Sequence, residues 1–121
     1  MIYFVGAGPG DVDLITVKGR KLLSEADVVI YTGSLVSKEH LKFCKEEAII
    51  LDSSGFTLEE IISYMEKYYR EGKRIVRLHT GDPTIYGAIA EQMEELKKLG
   101  LEFEVVPGVS SFTASCAVLK R

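Results

Sequence analysis

The chain has little cysteine, no long apolar run and no excess of basic residues. Its two cysteines, Cys44 and Cys116, form no C-x-x-C motif and have no histidine cluster beside them, so we expect buried free thiols and no zinc site. No apolar run approaches the roughly 20 residues that a membrane-spanning helix needs, and the N-terminus lacks the basic start of a signal peptide. The 18 acidic and 15 basic residues are mixed along the chain, which disfavours nucleic acid as a partner. These absences predict a cytoplasmic protein without a bound metal.

What is present is an alternation of apolar runs and helical patterns. The 121 residues, 46% hydrophobic and 27% charged, suit one globular domain of ordinary composition. Strands are predicted at 1–5, 27–31, 48–51, 74–78 and 102–106, and helices at 16–26, 37–44, 58–69 and 88–99. This order predicts an α/β domain of three layers, with a mainly parallel five-stranded sheet and right-handed crossovers.

Several helix ends are marked in the sequence. Thr57 and Glu60 form a capping box before a helix whose apolar residues recur at i, i+3 and i+4 spacing. Gly72 and Gly100 follow predicted helices and are expected to end them. Residues 110–121 begin another helical pattern that stops without a cap, which predicts that the sequence is a fragment of a longer protein.

The loop after the first strand resembles a nucleotide-binding loop but breaks its rules. Residues 6–11 read Gly-Ala-Gly-Pro-Gly-Asp, so Asp11 stands where a G-x-G-x-x-G loop has its third glycine. Asp11 and Asp13 would repel a phosphate at a helix N-terminus. The chain also lacks a Gly-Lys-Ser/Thr motif and an acid after the second strand, so a P-loop and a NAD-type dehydrogenase are disfavoured.

Glycine-bearing loops follow strands one, two, four and five, at 6–11, 31–36, 79–87 and 107–112. Ligands of open α/β sheets bind outside the carboxyl ends of the strands, so together these loops predict a ligand site, although each alone could be an ordinary turn. Asp82 could cap a helix or bind a polar ligand. Tyr31 and Tyr86 could close the edge of the core or place a hydroxyl group over a cleft. We expect His79 to be a hydrogen-bonded structural histidine rather than a catalyst.

Three motifs, in this order, resemble the tetrapyrrole (corrin/porphyrin) methylases along the whole chain. They are Gly6-Ala7-Gly8-Pro9-Gly10-Asp11 with Asp13-Leu14 and Thr16, then Gly81-Asp82-Pro83, then Val106-Pro107-Gly108-Val109-Ser110-Ser111. Residues 31–36, 78–83, 86–89 and 110–112 are most similar to the subgroup that methylates C11 of a corrin precursor in cobalamin biosynthesis. Thr32 stands where uroporphyrinogen methylases carry an acid, which argues against their reaction.

The resemblance implies that S-adenosyl-methionine donates a methyl group to a small-molecule tetrapyrrole. This methyl donor has no phosphate, and its sulfonium and ammonium groups tolerate the carboxylates of the first loop. The positions that match the family's methyl-donor site are Pro9, Thr80, Gly81, Asp82, Ile85, Ser110 and Ser111. The positions that match its tetrapyrrole site are Gly8, Gly10, Asp11, Tyr31, Ser34 and Tyr86. The resemblance assigns no catalytic residue.

The resemblance also implies a homodimer and a second α/β domain that completes both ligand sites in the family. Residues 1–121 match the N-terminal domain only, so an isolated structural or binding domain without catalytic activity stays an alternative. Another precorrin methyltransferase of the same family is a further alternative. Whether the tetrapyrrole ring holds cobalt is left open by the sequence.

Overall fold

The structure is a computed structural model that describes residues 1–7, 15–32, 38–79 and 89–106. Its strands are β1 (Ile2–Gly6), β2 (Val28–Tyr31), β3 (Ile49–Asp52), β4 (Ile75–His79) and β5 (Phe103–Val106). Its helices are α1 (Val17–Glu25), a 3₁₀ helix (Lys38–Phe43), α2 (Leu58–Arg70) and α3 (Ala90–Lys98). The predicted order of strands and helices is confirmed within these residues, and the bounds differ by no more than about two residues, as is usual for element ends.

The strands form one sheet in the order β3-β2-β4-β1-β5, and every neighbouring pair is parallel. Val5 of β1 lies beside Leu78 of β4 on one side and Val106 of β5 on the other. All carboxyl ends therefore meet at one side of the sheet, called the carboxyl edge below and formed by Gly6, Tyr31, Asp52, His79 and Val106. The predicted α/β class and parallel five-stranded sheet are confirmed.

Helices cover both faces of the sheet. The first cluster lies between the sheet and helices α2 and α3, and its fully buried members include Ile2, Phe4, Val28, Ile30, Met65, Ile75 and Leu96. The second lies between the sheet and α1, and its buried members include Val5, Leu23, Ala26, Val29, Val76 and Leu78. Burying one such large side chain stabilises the fold by about 1.5–3 kcal/mol, so the two clusters fix the strands from both sides.

The helix-end predictions are confirmed where the structure describes them. The Glu60 N–H donates to Thr57 Oγ1, and the Thr57 N–H donates to Glu60 Oε1, both at 3.2 Å, which completes the capping box of α2. Gly72 and Gly100 end α2 and α3 with φ angles of 79° and 72°, a region that favours glycine because it has no Cβ.

Three predictions differ from the structure or fall outside it. The helix predicted at 37–44 is a 3₁₀ helix, and the one predicted from residue 110 onward lies outside the described residues. Cys44 is a free thiol but is only half-buried, and this burial raises its pKa; Cys116 lies outside the described residues.

Within the described ranges, no helix has both the length and the apolar character needed to cross a bilayer.

Candidate functional site at the carboxyl edge

β4 lies between β2 and β1 in the sheet. The helix that follows β4 packs on one face of the sheet, and the helices that follow β2 and β1 pack on the opposite face. The next described helix after β4 is α3, which packs in the first cluster. The helices that follow β1 and β2 are α1 and the 3₁₀ helix, and both contribute side chains to the second cluster. Ligands of open α/β sheets bind where the chain leaves neighbouring strands toward opposite faces. The carboxyl end of β4 is therefore the best-supported position for a ligand site.

Tyr31 is the predicted ligand residue that the structure describes. Its side chain is half-buried and packs against the second cluster, so its ring closes the edge of the core. Its main-chain carbonyl accepts hydrogen bonds from the Ser53 N–H at 2.7 Å and from Ser53 Oγ at 3.1 Å. The other predicted ligand residues lie outside the described part of the chain: Gly8, Pro9, Gly10, Asp11, Ser34, Thr80, Gly81, Asp82, Ile85, Tyr86, Ser110 and Ser111.

Ala7, the first residue after β1, is held by hydrogen bonds on both sides. Its N–H donates to the carbonyl of His79 in β4, and its carbonyl oxygen lies 2.9 Å from Nε2 of His40. A carbonyl can only accept, so the His40 Nε2 carries the proton and donates it. His40 is fully buried and belongs to the 3₁₀ helix after β2. The starting point of the glycine-rich first loop is thus joined to the end of β4 and to the 3₁₀ helix.

Arg77 places a buried cation inside β4. Its side chain is 4% exposed; Nη1 donates to Ser53 Oγ at 2.9 Å and Nε donates to Gln92 Oε1 at 3.3 Å. Burial lowers its pKa to about 10, so the guanidinium still carries its charge at neutral pH. Among the residues that the structure describes, no carboxylate forms an ion pair with it.

Ser53 connects Arg77 to the end of β2. Its hydroxyl group accepts from Arg77, donates to the Tyr31 carbonyl, and lies 3.4 Å from Thr32 Oγ1. Ser53 directly follows β3 and is 5% exposed. The ends of three adjacent strands, β2, β3 and β4, are therefore linked by one buried polar network.

His79, the last residue of β4, combines burial with an unsatisfied ring nitrogen. Its ring stacks on that of Phe4, with centroids 6.1 Å apart. Nε2 is buried and has no hydrogen-bond partner within the described residues. Burial, and secondarily the positive charge of Arg77, lower the pKa of His79 to about 3. The expectation of a hydrogen-bonded structural histidine is wrong in this respect, because the imidazole is buried without a partner at Nε2.

His79 is a poor candidate for a proton-transfer residue. A base with a pKa of about 3, such as His79, holds almost no proton at neutral pH and is a poor proton acceptor there. No group of three or more histidine, cysteine, aspartate or glutamate side chains suited to a metal occurs in the described part of the chain. The described part of the edge combines hydrogen-bonded loop starts with a buried positive charge.

Four residues of this edge were missed by the sequence analysis: His40, Ser53, Arg77 and Gln92. Arg77 had a signal, because a charged residue within the apolar run Ile75-Val76-Arg77-Leu78 is rarely buried unless it is paired. The roles of His40, Ser53 and Gln92 depend on partners that are distant in the sequence. No local pattern marks such residues.

Comparison with known proteins gives a consistent result along the whole chain. The family described as Tetrapyrrole (Corrin/Porphyrin) Methylases matches residues 1–121. A cobalt-precorrin-4 C(11)-methyltransferase of Methanocaldococcus jannaschii is 56% identical over 119 residues, which are 98% of this chain and 46% of the relative. The chain spans about half the length of the curated relatives it matches.

Solved structures give the same result. The X-ray structure of a cobalt precorrin-4 methyltransferase, named as a cobalamin biosynthetic enzyme, matches with a TM-score of 0.94 and 53% identity, covering 98% of this chain and 50% of that one. A uroporphyrin-III C-methyl transferase from Thermus thermophilus, complexed with S-adenyl homocysteine, matches with a TM-score of 0.78 and 38% identity, covering 94% of this chain and 47% of that one.

Proposed function

The chain belongs to the tetrapyrrole (corrin/porphyrin) methylases, and from this premise we propose the activity of the protein that contains it. It is an S-adenosyl-methionine-dependent C-methyltransferase that acts on C11 of cobalt-precorrin-4 or precorrin-4 during synthesis of the corrin ring of cobalamin. The observation that carries the proposal is the likeness, along nearly the whole chain, to a cobalt precorrin-4 methyltransferase. The uroporphyrin-III C-methyl transferase is less similar in both sequence and structure. Thr32 supports the same choice, because the family resemblance implies an acid at this position in uroporphyrinogen methylases.

His79, at the end of β4, is compatible with a positively charged methyl donor. Its buried ring is neutral at neutral pH, so it does not repel a sulfonium group. S-adenosyl-methionine supplies, when bound, a methyl group activated by that sulfonium.

The chain's own contribution to the reaction is alignment. His40 and β4 fix Ala7 at the start of the first loop, and Ser53 fixes the Tyr31 carbonyl at the start of the second. Methyl transfer requires sulfur, methyl and acceptor carbon to lie in line, and holding reacting groups in this geometry supplies a large part of the rate. The acceptor carbon of a reduced tetrapyrrole is electron-rich, so this mechanism needs no strong base from His79.

The ligand residues and the assembly are part of the proposal. Residues Pro9, 80–82, Ile85 and 110–111 bind the methyl donor, and the first two loops face the tetrapyrrole. Residues 1–121 form the N-terminal domain, and a second α/β domain completes both sites in a homodimer that works in the cytoplasm. The second candidate for residues 1–121 on their own is a structural or binding domain without catalytic activity.

A methyl-transfer assay tests the proposal. The complete protein that carries this sequence is incubated with S-adenosyl-methionine labelled in the methyl group and with cobalt-precorrin-4, precorrin-4 or uroporphyrinogen III in separate reactions. We expect label at C11 of a precorrin-4 ring and none in uroporphyrinogen III. Label in uroporphyrinogen III alone would replace the proposed reaction with that of the other subgroup. Residues 1–121 assayed in parallel decide between the active enzyme and the isolated binding domain.

One substitution tests the proposed site for the methyl donor. In the complete protein, Asp82→Ala should weaken binding of S-adenosyl-methionine and lower turnover, because it removes a carboxylate from the loop after β4. Glu71→Ala is the matched control, since Glu71 is an exposed acid at the C-terminal end of α2, away from the carboxyl edge. Unchanged binding and turnover in Asp82→Ala would contradict the assignment of this loop to the methyl donor.

A further inference from the structure

We propose that Arg77 is a positioning residue for methyl transfer. It holds the proposed tetrapyrrole loop after β2 (residues 31–36) in a fixed place relative to the proposed methyl-donor segment after β4 (residues 80–88). The inference rests on the proposed function. It concerns a residue that touches neither ligand in the proposal and that acts through Ser53 and Gln92.

The first observation is the bond between Arg77 and Gln92. Arg77 lies two residues before the end of β4, and Gln92 is the third residue of α3. Nε of Arg77 donates to Gln92 Oε1 at 3.3 Å. This bond therefore joins β4, which precedes residues 80–88, to α3, which follows them. Both atoms belong to buried side chains, so water does not compete strongly for the bond. Arg77 is thus one of the contacts that place α3 relative to β4, alongside the apolar packing of Ile75 and Leu96.

The second observation is the bond between Arg77 and Ser53. Nη1 donates to Ser53 Oγ at 2.9 Å, and the same hydroxyl group donates to the Tyr31 carbonyl at 3.1 Å and contacts Thr32 Oγ1 at 3.4 Å. Tyr31 and Thr32 are the last described residues before the rest of the second loop. One guanidinium thus connects the start of the proposed tetrapyrrole loop with both ends of the proposed methyl-donor segment.

The chemical nature of Arg77 supports a geometric role. Ile75, two residues earlier on the same face of β4, is fully buried among apolar side chains, and an apolar residue at 77 would avoid the cost of burying a charge. A guanidinium instead offers donors in a planar fork with fixed directions, which a lysine ammonium does not. Here two arms of the fork reach acceptors on different elements, Ser53 after β3 and Gln92 in α3.

The expected consequence is an effect on alignment rather than on affinity. Each proposed loop can still contact its own ligand when Arg77 is replaced, but the two loops are no longer held in register with each other. Misplacing reacting groups by about 1 Å can lower a rate on the order of 100-fold. The loss should therefore fall on kcat, with little change in the binding of either ligand alone.

The test uses the complete protein that carries this sequence. Arg77→Met removes the donors but keeps a long, flexible side chain, and we expect kcat to fall on the order of 10- to 100-fold. The dissociation constant of S-adenosyl-methionine, measured by isothermal titration calorimetry, should change by less than about 3-fold. Arg77→Lys keeps the charge and one donor group, and should restore part of the lost kcat.

Ile75→Ala is the matched control, because Ile75 is buried on the same strand and face but forms no side-chain hydrogen bond. The Ile75→Ala variant loses packing in the core, as Arg77→Met does. Its kcat should stay within about 2-fold of that of the unaltered protein. All variants are assayed at a temperature where circular dichroism shows that they are folded. Ser53→Ala gives a smaller change that cuts the link to β2 alone. It should lower kcat in the same direction, and it decides the question if Arg77→Met does not fold.

The outcomes separate this inference from the proposed function. An unaltered protein that transfers no methyl group overturns both. If it transfers methyl but Arg77→Met or Ser53→Ala keeps the kcat of the Ile75→Ala control, the positioning role is overturned and the proposed function stands. A loss of kcat matched by an equal loss of affinity for S-adenosyl-methionine also overturns it, because Arg77 would then serve binding.

Discussion

The imidazole of His79 stacks on the ring of Phe4, with centroids 6.1 Å apart and planes inclined by 26°. The contact links β1 and β4, which are neighbouring strands of the sheet. It also holds the imidazole where burial keeps it neutral, with Nε2 unpartnered among the described residues. A histidine in this position is stable only in its uncharged form, which makes the stability of the fold sensitive to acid.

The stability of the protein should fall as the pH drops below about 6.5. The pKa of His79 is lowered to about 3 in the folded protein, so between pH 6.5 and pH 3 the unfolded state binds more protons than the folded state. Above pH 6.5, His79 does not change the free energy of unfolding with pH. Below pH 6.5, its titration lowers this free energy by up to about 1.4 kcal/mol for each pH unit. Urea unfolding between pH 7 and pH 5 measures this slope.

His79→Phe is the control for this pH dependence. It keeps a ring against Phe4 and removes the buried nitrogen that has no described partner, so its unfolding free energy at pH 7 should be similar to or higher than that of the unaltered protein. Its slope below pH 6.5 should be smaller. Equal slopes in the two proteins would show that other groups cause the acid sensitivity.

Removing the capping box should weaken the fold by a predictable amount. Thr57→Ala leaves the Glu60 N–H without its side-chain acceptor, and we expect the free energy of unfolding to fall by about 1 kcal/mol. Thr57→Ser retains an oxygen at the same position and should lose much less. Thermal or urea unfolding compares the two variants, and an equal loss in both would indicate that the Thr57 methyl group, not the cap, is responsible.

The glycine that ends α2 should resist substitution, whereas a second glycine nearby should not. Gly72 has a φ angle of 79°, so Gly72→Ala forces a Cβ into the left-handed region and should cost about 1 kcal/mol. Gly55 lacks a positive φ, and a Cβ there meets no atom within 4 Å. Gly55→Ala should therefore be neutral or slightly stabilising. If both variants lose the same stability, the conformation of Gly72 is not the cause.

The hydrogen bond from His40 to the Ala7 carbonyl should protect the start of the first loop. His40→Leu keeps a buried apolar side chain but removes the donor, and leaving a buried carbonyl unpaired costs about 1–3 kcal/mol. We expect faster amide exchange at Ala7, whose N–H is bonded to His79, and a lower melting temperature. Cys44→Ala, a change in the half-buried residue after the same 3₁₀ helix, should leave the Ala7 exchange rate unchanged.

The sequence predicted the elements well because their signals are local. Thr57, Glu60 and Gly72 set the bounds of α2 through contacts within a few residues, and the structure contains these contacts. The 3₁₀ form of the helix at Lys38–Phe43 was not predicted, because its short apolar pattern does not separate the two helix types.

The site was predicted less completely because its network is non-local. His40 bonds to a carbonyl 33 residues away, and Ser53 and Arg77 are 24 residues apart. Neither pair has a spacing that a helix or strand pattern marks. The strands that precede the glycine-bearing segments were predicted correctly. The ligand roles assigned to Pro9, Asp82 and Ser110 stay predictions, because these residues lie outside the described part of the chain.

The place of β1 in the sheet has a consequence for how the chain folds. β1 comes first in the sequence but lies between β4 and β5, with Ile2 beside Ile75 on one side and Phe103 on the other. During synthesis on a ribosome it therefore leaves the exit tunnel long before either partner. Pairing of strands so distant in the sequence is slow, and the apolar residues of β1 stay exposed until β4 and β5 have been synthesised. The sheet around β1 is therefore complete only after β5 has been synthesised.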